Sequence, residues 1–214
     1  MSIKAVILDF DGVILESNTI KVLAYYDLFE DYPEYRAAMI VYHNKNIAQT
    51  RVEKFRYFVQ ELMNEENDDA FNVMMKRFSC YVVERLKTCS YVPGAEMFIK
   101  EFSLLVPLYL SSLMPQEELH ETIKVLGIEH CFSGIYGNPP YTKENAIEHI
   151  LAERHLSPEE TLLVGDSMSD YLATLKTGIE FIGRDRSGSL KELKLPVYKD
   201  LYGIAESLRP KLAT

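Results

Sequence analysis

Two carboxylates stand two residues apart in Asp9-Phe10-Asp11-Gly12, directly behind a short apolar run. Such a pair at a strand end is costly unless a cation or a proton neutralises it. Gly12 permits the sharp exit that a side chain would obstruct. A second acidic pair, Asp166 and Asp170, lies in Gly165-Asp166-Ser167-Met168-Ser169-Asp170, again directly behind an apolar run, Thr161-Leu162-Leu163-Val164. Capping of a helix start accounts for one carboxylate there. Two acidic pairs at two strand ends ask for more. Hard oxygen ligands of this kind suit Mg²⁺, which keeps waters and takes a phosphate oxygen as a further ligand.

Two other positions bear on the same chemistry. Ser111 ends Leu108-Tyr109-Leu110-Ser111-Ser112, where a hydroxyl and nearby backbone N–H groups, Ser112 included, can hold phosphate oxygens. Lys143 follows Gly137-Asn138-Pro139-Pro140-Tyr141-Thr142 at a helix start. Taken singly, a serine at a strand end is a turn residue and a lysine at a helix start is solvated surface. Beside four carboxylates and one metal, however, a phosphate dianion needs one more cation.

The elements that must position these residues are visible in the periodicity. Residues 3–8 read as a buried strand, with further strands at 106–110, 161–164, 181–183 and, weakly, 197–198. Helices are expected at 115–126, 143–155 and 168–176, with Gly127 and Gly178 as stops and a capping box at Ser157-Pro158-Glu159-Glu160. From about residue 92, strands and helices alternate, the pattern of a parallel sheet covered by helices. Residues 17–88 carry no convincing strand. A capping box at Thr50 and Glu53 precedes Val52, Phe55, Phe58, Val59 and Leu62. A second helix is expected over 70–86, with Phe71, Met74, Met75, Phe78, Val82 and Leu86 as its apolar face. The layout is an α/β core, a Rossmann-like parallel sheet of residues 1–16 and 89–214, with a helical cap, 17–88, inserted after the first strand.

Together these residues resemble the four motifs of the haloacid-dehalogenase-like hydrolase superfamily. Asp9-x-Asp11-Gly12 matches the first, Ser111 the second, Lys143 the third, and Gly165-Asp166-x-x-x-Asp170 the fourth, in the right order over residues 5–183. The insert is similar to the C1-type cap of the phosphoglycolate-phosphatase and β-phosphoglucomutase branch. The resemblance implies that Asp9 attacks phosphorus and forms an aspartyl-phosphate, with Asp11 as acid and then base. It implies Mg²⁺ held by Asp9, the Asp11 carbonyl and Asp166, with Asp170 positioning the metal's waters or Lys143. Ser111 and Lys143 would bind the phosphoryl oxygens. Asp11 argues against dehalogenation, because a departing halide needs no proton.

Substrate identity is expected in the cap. His43, Asn46, Arg51 and Lys54 form a polar, cationic run within residues 42–55, read either as substrate contacts or as a solvated loop and helix face. Arg184 is read as facing the cleft or, more simply, as a surface partner of Asp185 or Glu180. The net charge of −9 in 214 residues argues against nucleic acid and anionic membrane as partners, though not against a small phosphorylated metabolite. No apolar run is long enough to span a bilayer. Three widely spaced cysteines, Cys80, Cys89 and Cys131, fit reduced thiols in a cytoplasmic protein; a monomer or dimer is expected. A phosphomutase shares every core motif and is the first alternative; a silent binding protein on the same fold is the second.

Overall fold

The computed structural model describes residues 2–46, 49–66, 68–186 and 188–212. The chain forms two compact units, one of Met1–Asn18 with Cys89–Thr214, the other of Thr19–Thr88. Strand β1 is Ala5–Leu8. The second unit follows, with helices α1 (Ile20–Glu30), α2 (Arg36–Lys45), α3 (Arg51–Tyr57) and α4 (Asp68–Lys87). The first unit resumes with α5 (Ala95–Phe102), β2 (Leu108–Ser112), α6 (Gln116–Val125), β3 (Gly134–Gly137) and α7 (Lys143–Arg154). It ends with β4 (Thr161–Gly165), α8 (Met168–Thr177), β5 (Glu180–Arg184), β6 (Val197–Tyr198) and α9 (Leu201–Leu208).

In the first unit the strands form one six-stranded sheet in the order β3-β2-β1-β4-β5-β6, every pair parallel. This is the expected α/β, Rossmann-like sheet. β1, β2 and β4 are buried along their whole length because helices cover the sheet, which is why they read as continuous apolar runs. Ile7, Tyr109 and Leu163 share a core with Ala146, Ile147 and Ile150 of α7 and Ala173 of α8. The chain leaves β1 for β2 on one side and reaches β4 on the other, so β1 lies where the strand order reverses. Ligands of open α/β sheets bind at the carboxyl ends of strands at such a point.

β2 runs two residues further along the chain than the expected 106–110, so Ser111 lies within the strand and not beyond it. β3 is absent from the sequence reading. Its Gly-Ile-Tyr-Gly run is too short and too glycine-rich to signal a strand, and its pairing with β2 creates it.

In the second unit α1 packs most closely on α4, and Arg85 of α4 donates to Asp27 Oδ1 of α1 at 2.6 Å. The capping box at α3 forms: Thr50 Oγ1 accepts from the Glu53 N–H at 3.2 Å, and Glu53 Oε2 from the Thr50 N–H at 2.6 Å. The helix then widens over Phe58–Leu62. Phe55, Phe58, Val59, Met74, Phe78, Val82 and Leu86 are buried as their spacing predicts, but Val52 is exposed.

Candidate active site

Asp9 is still held in the sheet's register, because its N–H donates to the Val164 carbonyl at 2.9 Å. The chain then folds back tightly: the Ile14 N–H reaches the Phe10 carbonyl at 3.0 Å, and the Gly12 N–H the Leu15 carbonyl at 2.8 Å. Gly12 has φ +73°, and a Cβ there would stand 2.0 Å from Asp166 Oδ2. Only glycine permits both the turn and that approach. Ser17 Oγ donates to Asp11 Oδ1 at 2.6 Å, and Asn18 Nδ2 to Asp166 Oδ2 at 2.9 Å. Ser17 and Asn18, read from sequence as the start of the insert, therefore belong with the first unit, where their side chains hold two of its carboxylates.

Lys143 is the first residue of α7, whose N-cap Thr142 accepts from the Asn145 N–H at 3.3 Å. Its ammonium donates to both Asp9 Oδ1 and Asp170 Oδ1, and all three side chains are buried. Asp170 does two things at once. Its Oδ2 caps α8, accepting from the N–H of Asp166 (3.2 Å), the N–H of Ser167 (3.1 Å) and the Ser167 hydroxyl (2.6 Å), while Oδ1 faces Lys143. Gly165 makes room, since a Cβ on it would stand 2.4 Å from that of Asp170.

Asp9, Asp166 and Asp170 each offer one oxygen within 4.8 Å of the others, a hard-oxygen cluster that fits a divalent ion such as Mg²⁺. The electrostatics point the same way. Burial raises the Asp9 carboxyl well above the ordinary carboxylate range; Lys143 opposes this, while Asp170 and Asp11 add to it. Burial likewise raises Asp166, with the Asn18 hydrogen bond opposing. Burial pulls Lys143 down, but Asp9 and Asp170 outweigh it and hold the ammonium above an ordinary lysine. One buried cation among these carboxylates leaves the cluster short of positive charge.

Ser111 is buried in β2, next to β1. The Ser112 hydroxyl accepts the Met114 N–H at 3.1 Å and so closes the turn after the strand.

The cationic run of the second unit is buried in part. His43 and Lys54 are both buried, and Lys54 Nζ lies 3.4 Å from His43 Nδ1 and 5.1 Å from the Tyr25 ring centre. Arg51 instead joins α3 to α4, donating to Ser79 Oγ at 3.2 Å with its guanidinium 4.4 Å from the Phe78 ring centre. Asn46 turns back on the Tyr42 carbonyl at 2.9 Å. Ile47 and Ala48 of this run lie outside the described residues.

Arg184 corrects the sequence reading most. It is neither a surface group nor a partner of Asp185 or Glu180. It is 3% exposed and pairs with Glu16, 168 residues earlier in the chain. Glu180 pairs with Lys211, and Asp185 accepts the N–H groups of Gly188 and Leu190. Glu16, Ser17 and Asn18 were missed as site residues, and for Arg184 the cleft was named only as one alternative. The polar triplet Glu16-Ser17-Asn18 directly after an apolar run was the available signal.

A family model described as haloacid dehalogenase-like hydrolase matches residues 6–184. No curated protein sequence matches significantly. Among solved structures, a candidate phosphoglycolate phosphatase from Haemophilus somnus is 17% identical, with 98% of this chain and 99% of that one covered at a TM-score of 0.74. A candidate β-phosphoglucomutase from Thermotoga maritima is 19% identical, covering 98% and 100% at 0.73. The hydrolase YfnB from Bacillus subtilis, bound to magnesium, is 16% identical, covering 97% and 99% at 0.72. At these identities the likeness is one of fold.

Proposed function

The chain belongs to the haloacid dehalogenase-like hydrolase family, and we propose that it is a Mg²⁺-dependent phosphatase acting on a small phosphate monoester. The observation that carries this reading is Asp9, a buried carboxylate at the end of the central strand, bonded to Lys143 within a cluster of further aspartates.

In this reading Asp9 attacks phosphorus in line and forms an aspartyl-phosphate as the alkoxide leaves. Asp11, oriented by Ser17, protonates that alkoxide and then takes a proton from the water that hydrolyses the intermediate. Lys143 stays charged between Asp9 and Asp170, so it keeps Asp9 in place and offers its ammonium to the phosphoryl oxygens. The Ser111 hydroxyl binds the same oxygens, with the Ser112 N–H as a further candidate; the Gly12 N–H is already donated to the Leu15 carbonyl. Asp9, Asp166, Asp170 and the carbonyl of Asp11 would hold Mg²⁺. When bound, the ion offsets the negative charge of the transferring group.

The helical unit takes the role of cap in this reading, with His43, Arg51 and Lys54 as candidate contacts to the leaving group. The three cysteines are free, in keeping with a reducing, cytoplasmic setting.

The experiment is phosphate release from an aryl phosphate and from a panel of sugar phosphates and phosphoglycolate, with Mg²⁺ and with chelator. Release that requires Mg²⁺ is expected. Isomerised sugar phosphate without net phosphate release would replace the phosphatase with a phosphomutase, and no turnover of any substrate would sink both. A readout independent of turnover is the melting temperature. Mg²⁺ is expected to raise it for the wild type by mass action and to leave Asp166→Asn almost unchanged.

A further inference from the structure

Arg184 ends β5, at the far side of β4 from the nucleophile's strand, yet its guanidinium is committed to the loop that follows Asp9. Nη1 donates to the Gly12 carbonyl at 3.0 Å, and Nη1 and Nη2 grip the two Glu16 oxygens at 3.2 and 2.5 Å. Nε is fixed by the Lys199 carbonyl at 3.1 Å, beside the β5–β6 pair. We propose that Arg184, with Glu16, is a positioning residue that holds the 10–18 loop in its reactive geometry.

The argument runs through Gly12. Its α-carbon lies against the Asp166 carboxylate, close enough that no Cβ fits, while its carbonyl is the one Arg184 holds. The guanidinium therefore fixes the Gly12–Val13 peptide, and with it the α-carbon that stands against Asp166. Glu16, the other end of the grip, directly precedes Ser17 and Asn18, whose side chains orient Asp11 and Asp166. One planar, five-donor group thus anchors the loop at two points, Gly12 and Glu16, with Arg186 Nη1 adding a second, more exposed contact to Glu16 Oε2 at 3.3 Å. The Arg184 fork spans a carbonyl and a carboxylate together, which a lysine's point charge does not. Glu16 is further tied to the returning chain, because its N–H donates to the Ser90 carbonyl at 3.0 Å.

This inference rests on the phosphatase reading for its assay only. Arg184→Ala, Arg184→Lys and Glu16→Gln are compared with wild type for Mg²⁺-dependent hydrolysis of an aryl phosphate, with rates referred to folded protein. For Arg184→Ala the expected result is a fall in kcat of about tenfold to a hundredfold with KM within about twofold, the mark of misplaced reacting groups. Guanidinium at about 20 mM, far below denaturing levels, should restore part of that kcat and leave wild type unchanged. Arg184→Lys keeps the charge and is expected to fall almost as far. A lowered melting temperature with kcat intact would make Arg184 a merely structural residue and overturn the proposal. Should Arg184→Ala fail to fold, Arg184→Lys and Glu16→Gln decide it by the same readouts. Amide exchange supplies the test free of turnover. The N–H groups of Gly12, Ile14 and Leu15 should exchange at least about tenfold faster in Arg184→Lys, and unchanged protection overturns the inference. A wild type inactive on every phosphate ester defeats the phosphatase reading instead, and the exchange data still judge the loop.

Discussion

Among the described residues each unit of this molecule buries one lysine, and the two are treated in opposite ways. Lys143 lies between Asp9 and Asp170, and its ammonium is held above the ordinary lysine range. Lys54 is 3% exposed and pairs with no carboxylate among the described residues. Its neighbours are the His43 ring and the Tyr25 face, and burial lowers its pKa. The first lysine is a fixed charge inside a polar network, and its neighbours would suffer more than it from its loss. The second is a charge that burial opposes and that only an aromatic face and an imidazole nitrogen offset. A buried lysine is thus not one kind of object. The identity of the groups within hydrogen-bond reach decides whether it stabilises its surroundings or strains them.

The contrast can be broken first at the carboxylate Lys143 serves. Asp9→Asn keeps the shape of the side chain and removes the nucleophile. Hydrolysis of an aryl phosphate is expected to fall by at least about a thousandfold, with far-ultraviolet circular dichroism unchanged. Residual activity near the wild-type rate would remove Asp9 from the chemistry and leave its pairing with Lys143 a structural feature. Next comes Lys143→Met. Hydrolysis should be lost here too, but the sharper readout is stability without metal. Two buried carboxylates lose their cation, and breaking such a pair costs about 3 kcal/mol, or roughly 6–12 °C in melting temperature for a chain of this size. Acidic pH should recover part of that loss, because protonating Asp9 removes the repulsion from Asp170.

How much of this was legible in the sequence depends on the distance over which each fact is decided. The motif residues could be read because the fold needs them next to strand ends, and β1 and β4 announce themselves as apolar runs ending in Asp9 and in Gly165-Asp166. Their convergence is a property of strand order, which joins β4 to β1 across more than 150 residues and leaves no local trace. Arg184 failed for that reason. Its sequence neighbours Asp185 and Glu180 offered a surface pairing, while the true partner, Glu16, is brought to it only by the sheet. The burial of His43 and Lys54 was illegible for another reason: the run was read as substrate contacts or as a solvated face, and the packing of Tyr25, Phe55 and Phe78 around them leaves no local trace. Strand β3 was illegible because its glycines are determined by close approach: a Cβ on Gly137 would stand 2.6 Å from the backbone of Gln116.

The same substitution at the second lysine should have the opposite sign. Lys54→Met keeps the length of the side chain and removes the opposed charge. It is expected to stabilise the protein by about 1 kcal/mol, a rise of roughly 2–4 °C, where Lys143→Met loses more than that. A fall in melting temperature for Lys54→Met would mean that the aromatic and imidazole contacts more than offset burial, and the two lysines would then be alike.

The smallest effect, and the finest test of the contrast, is the pH response of His43. Burial lowers its pKa, and the nearby Lys54 lowers it further. An imidazole depressed in the folded state binds fewer protons than it does unfolded, so its stability contribution is present above the unfolded value of about 6.5 and is lost as pH falls through the folded one. Asp9, raised by burial, works in the other direction in wild type and variants alike, so only the difference between them is informative. Melting temperatures of wild type and His43→Gln taken from about pH 7 down to pH 5 should diverge, with the wild type falling more steeply. Lys54→Met should lie between them, since it removes the second cause of the depression and leaves the first. If Lys54→Met instead tracks wild type throughout, the ammonium does not act on the imidazole. The strain in this unit would then be burial alone, felt by each group separately.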